Sequence, residues 1–278
     1  MPRFASDWNQ MRPITLATLV ALCPVGVLAA PDTAPQAPAS KAVSSPFRNQ
    51  ASTTIRGLVE PRLSLAPAEK PEIRVALTFD ACSGRTDTRI LDVLVKNRIP
   101  ATIFVTARWL RRNADAVAVL KANADLFEVE NHGAAHVPAV DRPGMVYGIR
   151  AAGSVEGVET EAGDGARALV ANGFRSPQWF RGATARYTPS SMEEIGRLGY
   201  RVAGFSLNGD DGASVSATTA ERRLAAARDG DVIIAHINQP GRAAGAGIAK
   251  GILALKAKGV TFVRLSDATE EAGTRTDH

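Results

Sequence analysis

Apolar residues along this chain fall into short β-rich runs separated by stretches with helical spacing. Residues 73–80, Ile-Arg-Val-Ala-Leu-Thr-Phe-Asp, form the first such run, and residues 88–98 then place Ile90, Leu91, Leu94 and Val95 on one helical face. A strand pattern at 101–105 is followed by a helix pattern at 115–122. Further strand-like runs lie at 126–130, 178–181, 200–207, 231–236 and 260–265, with helical patterns at 159–171, 191–198, 219–228 and 247–258. Such alternation predicts a parallel sheet with helices outside. With about seven strands over roughly 200 residues, the expected architecture is α/β, a distorted (β/α)7 barrel, with an open doubly wound sheet as the alternative. No glycine-rich phosphate loop follows the first strand, which argues against a nucleotide-binding fold.

Upstream of this pattern the texture differs. Arg12 precedes an apolar run at 14–28, with Ala29 and Ala30 behind it, so residues 1–29 read as an export signal. Pro24 interrupts the run, which is also short for a bilayer span, so no stable membrane insertion is expected after cleavage. Residues 30–71 are rich in Pro, Ala, Ser and Thr and read as a flexible linker ahead of a catalytic domain at 72–270. An exported chain is expected to be periplasmic or extracellular. Of the two cysteines, Cys23 falls in the signal, leaving Cys82 alone and no internal disulfide.

Composition adds little to this. Hydrophobic residues at 45% and charged residues at 22% describe an ordinary globular domain. The net charge of +5 is carried by scattered arginines, with short pairs such as Arg111-Arg112 and Arg222-Arg223. A nucleic-acid partner is not expected, because its binding face would concentrate those charges beside aromatic residues.

The candidate chemistry sits at the strand ends. His278 is terminal, whereas His132, His136 and His236 each fall at or just after a predicted strand, as does Asp80. In α/β barrels the C-terminal ends of the strands form the active-site face. His132-Gly133-Ala134-Ala135-His136 has a four-residue spacing that, on a helical turn, lets two imidazoles share a divalent metal; two unrelated loop histidines are the bland alternative. Asp80 at a neighbouring strand end makes the set two histidines and one carboxylate, for which zinc is the expected metal.

Five segments then resemble, in order, the motifs of the polysaccharide deacetylases, the NodB-homology group of carbohydrate esterase family four. They are Thr78-Phe79-Asp80-Ala81, His132-Gly133-Ala134-Ala135-His136, Phe180-Arg181-Gly182-Ala183-Thr184, Asn208-Gly209-Asp210-Asp211 and Ile234-Ala235-His236. The resemblance covers about residues 72–268 and implies a distorted (β/α)7 barrel. It implies a metal-dependent hydrolase that removes N- or O-acetyl groups from an envelope or exported polysaccharide. It further implies that Asp80 is the general base, that His132 and His136 bind the metal, and that His236 is the general acid. Arg181 would orient the base, with Asp210 or Asp211 in support, and a backbone N–H near Thr184 would help hold the oxyanion.

Departures from the pattern leave alternatives open. Most members carry a second, metal-binding aspartate where this chain has Ala81, within a variant Thr-Phe-Asp-Ala-Cys motif. The missing ligand could be Asp80 itself, Asp87 from the next turn, Cys82 as a thiolate, or water. Ala81 also motivates a second reading, a catalytically impaired carbohydrate-binding barrel. A third is a hydrolase of small cyclic amides on the same barrel, which the export signal disfavours.

Overall fold

The computed structural model describes residues 53–67, 72–267 and 270–276; the expected signal peptide and most of the expected linker lie outside them. In chain order the first elements are β1 (Val59–Leu65), β2 (Arg74–Ala81), α1 (Thr88–Lys96) and β3 (Ala101–Val105). Next come α2 (Ala107–Arg112), α3 (Ala114–Ala122), β4 (Phe127–Asn131) and a small hairpin of β5 (Met145–Val146) and β6 (Ile149–Arg150). Helix α4 (Val155–Ala171), β7 (Trp179–Phe180), α5 (Pro189–Arg197), β8 (Arg201–Val202) and β9 (Leu207–Asn208) follow. The last elements are α6 (Ala217–Ala225), β10 (Val232–His236), α7 (Ala244–Ala257), β11 (Thr261–Val263) and β12 (Glu270–Thr276).

Seven parallel strands run in the order β8-β7-β4-β3-β2-β10-β9, and β11 pairs onto the start of β2. This is the distorted α/β barrel that the alternating pattern predicts. The period-two geometry of a strand decides which residues reach its interior. On β2, Val75, Leu77, Phe79 and Ala81 pack outward into the cluster containing Leu94, Ile248 and Ile252. Ala76 packs inward with Phe104, Trp179 and Val232, and Thr78 and Asp80 share that parity. Both faces are covered, which is why these strands read as near-continuous apolar runs. Asp87, Thr106, Ser154, Thr188 and Ser216 cap α1, α2, α4, α5 and α6 through their side chains, each worth about 1 kcal/mol.

Two expectations are corrected. The flexible linker of 30–71 does not include residues 59–65, which form β1, antiparallel to β12 from Val59↔Thr276 to Leu65↔Glu270. Alternate residues Val59, Pro61, Leu63 and Leu65 are buried, and Leu63 and Leu65 join the inward-facing cluster with Ala76, Phe104 and Trp179. The domain therefore starts before residue 72 and runs past 270. The continuous strand expected at 200–207 is broken into β8 and β9. Here β1 passes so closely that a Cβ on Gly204 would lie 2.3 Å from the carbonyl oxygen of Pro61. The backbone between the two short strands yields to that contact.

A polar layer lies beside the inner cluster. Glu128 accepts from Thr102 Oγ1 at 2.7 Å and pairs with Arg175 at 2.7 Å. Glu130, fully buried, accepts from the backbone N–H groups of Gln178 and Trp179, both at 2.8 Å. Burial raises the Glu130 pKa from 4.5 to about 7, with the Glu128 charge adding to the rise against the hydrogen bonds and Arg175.

Two outcomes are expected. Leu63→Ala should cost about 2–5 kcal/mol in urea unfolding, as a core deletion does and a linker change does not. Because the folded-state pKa of Glu130 exceeds its unfolded value, its stabilisation is present below 4.5 and lost as pH rises through about 7. Glu130→Gln should therefore flatten the fall in melting temperature across that window, read from thermal melts at stepped pH.

Candidate active site

Strand register assembles the site. Asp80 and His236 are paired neighbours on β2 and β10. His132 follows the last residue of β4 and Arg181 follows the last residue of β7, and Asn131 of β4 pairs with Phe180. The five residues singled out from the sequence thus come from the C-terminal ends of four parallel strands.

Arg181 has no solvent exposure, so every donor it carries needs a partner. It donates to Thr78 Oγ1 at 2.9 Å, to Asp80 Oδ1 at 3.1 Å, and to the carbonyls of Ala203 at 3.2 Å and Gly204 at 2.9 Å. The Phe104 ring lies 4.3 Å beneath the guanidinium carbon. Burial alone would raise the Asp80 pKa, but the charges of His132, Arg181 and His236 outweigh it and hold the carboxylate below its ordinary range.

His132 and His136 do not sit on a helix, as their spacing suggested; they lie in a turn after β4, with His136 at φ 62°. The ring centroids are nevertheless 5.1 Å apart. Glu161 of α4 shapes this turn, accepting from the backbone N–H of Ala135 at 3.0 Å and of Val137 at 3.0 Å. Gly133 is required there: its φ is 87°, and a Cβ would lie 2.3 Å from the Glu161 carboxylate. Glu161 is buried on a helix, and an acidic residue on a buried helical face is the one sequence signal that could have marked it.

His132 Nδ1 donates to the Arg181 carbonyl at 2.5 Å, so that in the neutral imidazole the lone pair is on Nε2. That nitrogen faces the buried Cys82 Sγ at 3.5 Å. Desolvation lowers the His132 pKa, but Asp80 and Cys82 more than compensate and bring it to about 8. Burial likewise opposes ionisation of Cys82, yet His132, with His136 and His236, holds the thiol well below its ordinary value.

One ligand atom each from Cys82, His132 and His136 lies within 4.8 Å of the others. Two imidazoles and a polarised thiol with room for an exogenous fourth ligand are a donor set suited to zinc, so the residues fit the metal that the sequence implied. The cluster differs from the expected trio in its third member. Asp80 Oδ2 stands 3.8 Å from His132 Nε2 while its other oxygen is engaged by Arg181, and among the described residues the group able to hold a metal comprises Cys82 with the two histidines. Asp87 is not at this centre; it caps α1 and binds Arg89 at 2.5 Å.

His236 has its own support. Asp210, buried, accepts from His236 Nδ1 at 2.9 Å and from its backbone N–H at 2.7 Å. Burial disfavours the charged imidazole, but Asp210, followed by Cys82, raises its pKa well above the ordinary value. Asp210 therefore braces His236 rather than Asp80. Asp211 turns away at φ 47° and pairs with Arg223 at 2.8 Å. A cavity of about 860 Å³ opens over these groups, its wall including Asp80, Cys82, His136, Thr184, His236 and Asn238.

The family comparison bears directly on this constellation, since residues 68–203 match the family model described as polysaccharide deacetylase. This stretch is a polysaccharide deacetylase domain. Among curated proteins no sequence matches. Solved structures of carbohydrate esterase family four share the fold. Peptidoglycan deacetylase PdaC from Bacillus subtilis is 22% identical, with 71% of this chain and 90% of that one covered at a TM-score of 0.57. The Xyl-CE4 domain of a multidomain xylanase from the hindgut metagenome of Trinervitermes trinervoides is 23% identical, covering 70% and 89% at 0.58. BA3943 from Bacillus anthracis, a family pseudoenzyme, is 18% identical, covering 73% and 69% at 0.56. A mutant of BA3943 with restored activity is similarly related, at 18% and a TM-score of 0.57.

Zinc titration should give one site per chain, and Cys82→Ala and His132→Ala should each weaken binding at least tenfold. The cobalt-loaded protein should show a thiolate-to-metal charge-transfer band that Cys82→Ala removes.

Proposed function

We propose that this deacetylase domain is an active, metal-dependent hydrolase that removes acetyl groups from an exported or envelope polysaccharide, acting in the periplasm or outside the cell. The observation that carries this reading is the placement, on adjacent strands, of a carboxylate paired with an arginine beside an imidazole paired with a buried aspartate. The charges of His132 and Arg181 favour an ionised Asp80, while Asp210 favours a protonated His236. A base and an acid whose pKa values are driven apart by their surroundings are what acyl hydrolysis needs.

Cys82, His132 and His136 would hold the metal. When bound it supplies Lewis-acid chemistry, drawing electron density from the acetyl carbonyl and making water more acidic. Asp80 accepts a proton from the attacking water, and Arg181 fixes the orientation of its carboxylate. His236 donates its Nε2 proton to the departing nitrogen or oxygen, while Asp210 stabilises the imidazolium from Nδ1. The products are acetate and the freed amine or hydroxyl. Thr184 lies on the cavity wall at φ 71°, where its backbone N–H would serve the oxyanion.

Ala81 favours a second reading, a barrel that binds carbohydrate with impaired catalysis, since the family motif that this segment resembles has a metal-binding aspartate where this chain has alanine. Acetate release from N-acetylated chitooligomers and acetylated peptidoglycan by the zinc-loaded protein separates the two: release supports the hydrolase, and binding without release supports the second reading. His236→Ala should retain bound metal but lower kcat by roughly 10²–10⁴-fold, and Asp210→Asn should lower kcat in the same sense. Full activity of His236→Ala would remove the general-acid assignment.

A further inference from the structure

Tyr147 is the residue of this molecule that the fold explains least. With Gly148 it forms the two-residue turn of the β5–β6 hairpin, at φ 49° and 77°. Such turns favour Asn, Asp or Gly, and a left-handed conformation costs another residue about 1–2 kcal/mol. The Tyr147 side chain does not offset that cost by burial, because the residue is 69% exposed. Strain retained without a packing benefit points to a functional constraint.

Its location supplies one. Tyr147 lines the 860 Å³ cavity over the site, and it also lines a second depression of about 220 Å³ bounded by residues 54–58. Among the described residues only Arg186 shares that double position with it. The Arg186 guanidinium stands 5.9 Å from the Tyr147 ring centroid and pairs with Glu60 at 3.0 Å. The hairpin is anchored: Met145 exchanges backbone hydrogen bonds with Thr53 and Ile55 at 3.0 and 3.1 Å, and Val146 is buried with Leu58, Val140 and Ala151. The ring is therefore an exposed aromatic face on a fixed mount, at the ridge where one depression passes into the next.

We propose that Tyr147 is a stacking platform for a sugar ring next to the one deacetylated, so that the substrate is a chain continuing from the catalytic cavity across this ridge. The inference rests on the deacetylase reading of the site. A pyranose offers an apolar C–H face to an aromatic ring, and the Glu60–Arg186 ion pair holds the wall beside the Tyr147 ring in place. A small acetylated molecule at the catalytic groups would occupy only part of this cavity and would not need the Tyr147 ring.

The test uses the zinc-loaded protein and Tyr147→Asn, which removes the ring but suits the turn, with Tyr147→Trp as the enlarged face. Affinity for N-acetylated chitotetraose, measured by calorimetry, should fall roughly three- to tenfold in Tyr147→Asn. The ratio of kcat/KM on the tetramer to that on 4-nitrophenyl acetate should fall by a similar factor, and Tyr147→Trp should hold or raise both. Unchanged tetramer binding in Tyr147→Asn, or equal losses on tetramer and ester, would overturn the platform. If the wild-type protein releases no acetate from any substrate, the deacetylase reading fails, and the calorimetric arm still decides the role of Tyr147.

Discussion

A guanidinium sealed inside the barrel is the constraint around which the centre is organised. Arg181 has no water to solvate it, so its charge and donors must be met by protein, and leaving one unmet would cost several kcal/mol. The structure meets them with Asp80 and Thr78 from one strand and with the carbonyls of Ala203 and Gly204 from the break between β8 and β9. The same residue's own carbonyl sets the tautomer of His132. The arginine side chain thus joins His132 in keeping Asp80 ionised, and its backbone carbonyl orients the ring of that histidine.

That arrangement bears on the unusual residues after Asp80. Asp80 commits one carboxylate oxygen to Arg181, and Ala81 packs in the apolar cluster and offers no donor atom. The next residue of inward parity is Cys82, and its sulfur meets the freed nitrogen of His132. A sulfur donor at this position would be softer than a carboxylate oxygen and would shift the metals that such a centre prefers.

Much of this was legible in the sequence because strand ends in parallel sheets converge. Asp80, His132, His136, Arg181 and His236 could be placed on one rim from periodicity and motif order, and the structure brings them together. What escaped depends on backbone detail that periodicity does not carry. The choice between Asp210 and Asp211 turns on a single left-handed φ at Asp211. The part played by Glu161 depends on how closely α4 approaches the turn at Gly133. The strand at 59–65 was hidden because Pro61 and its Pro/Ala-rich surroundings resemble a linker, and because its partner lies at the other end of the domain.

The β1–β12 pairing also carries a consequence for folding order. Residues 59–65 insert apolar side chains into the barrel and bring Glu60 and Arg62 to the cavity wall, yet their backbone partners are residues 270–276. Contacts this distant in sequence carry a large loop-closure entropy and form late. The parallel sheet can collapse first, but the wall built by β1 cannot be secured until β12 is available. Completion of the cavity is thereby tied to synthesis of β12, so a chain shorter than that strand would carry Asp80, His132, Arg181 and His236 without a finished cleft around them.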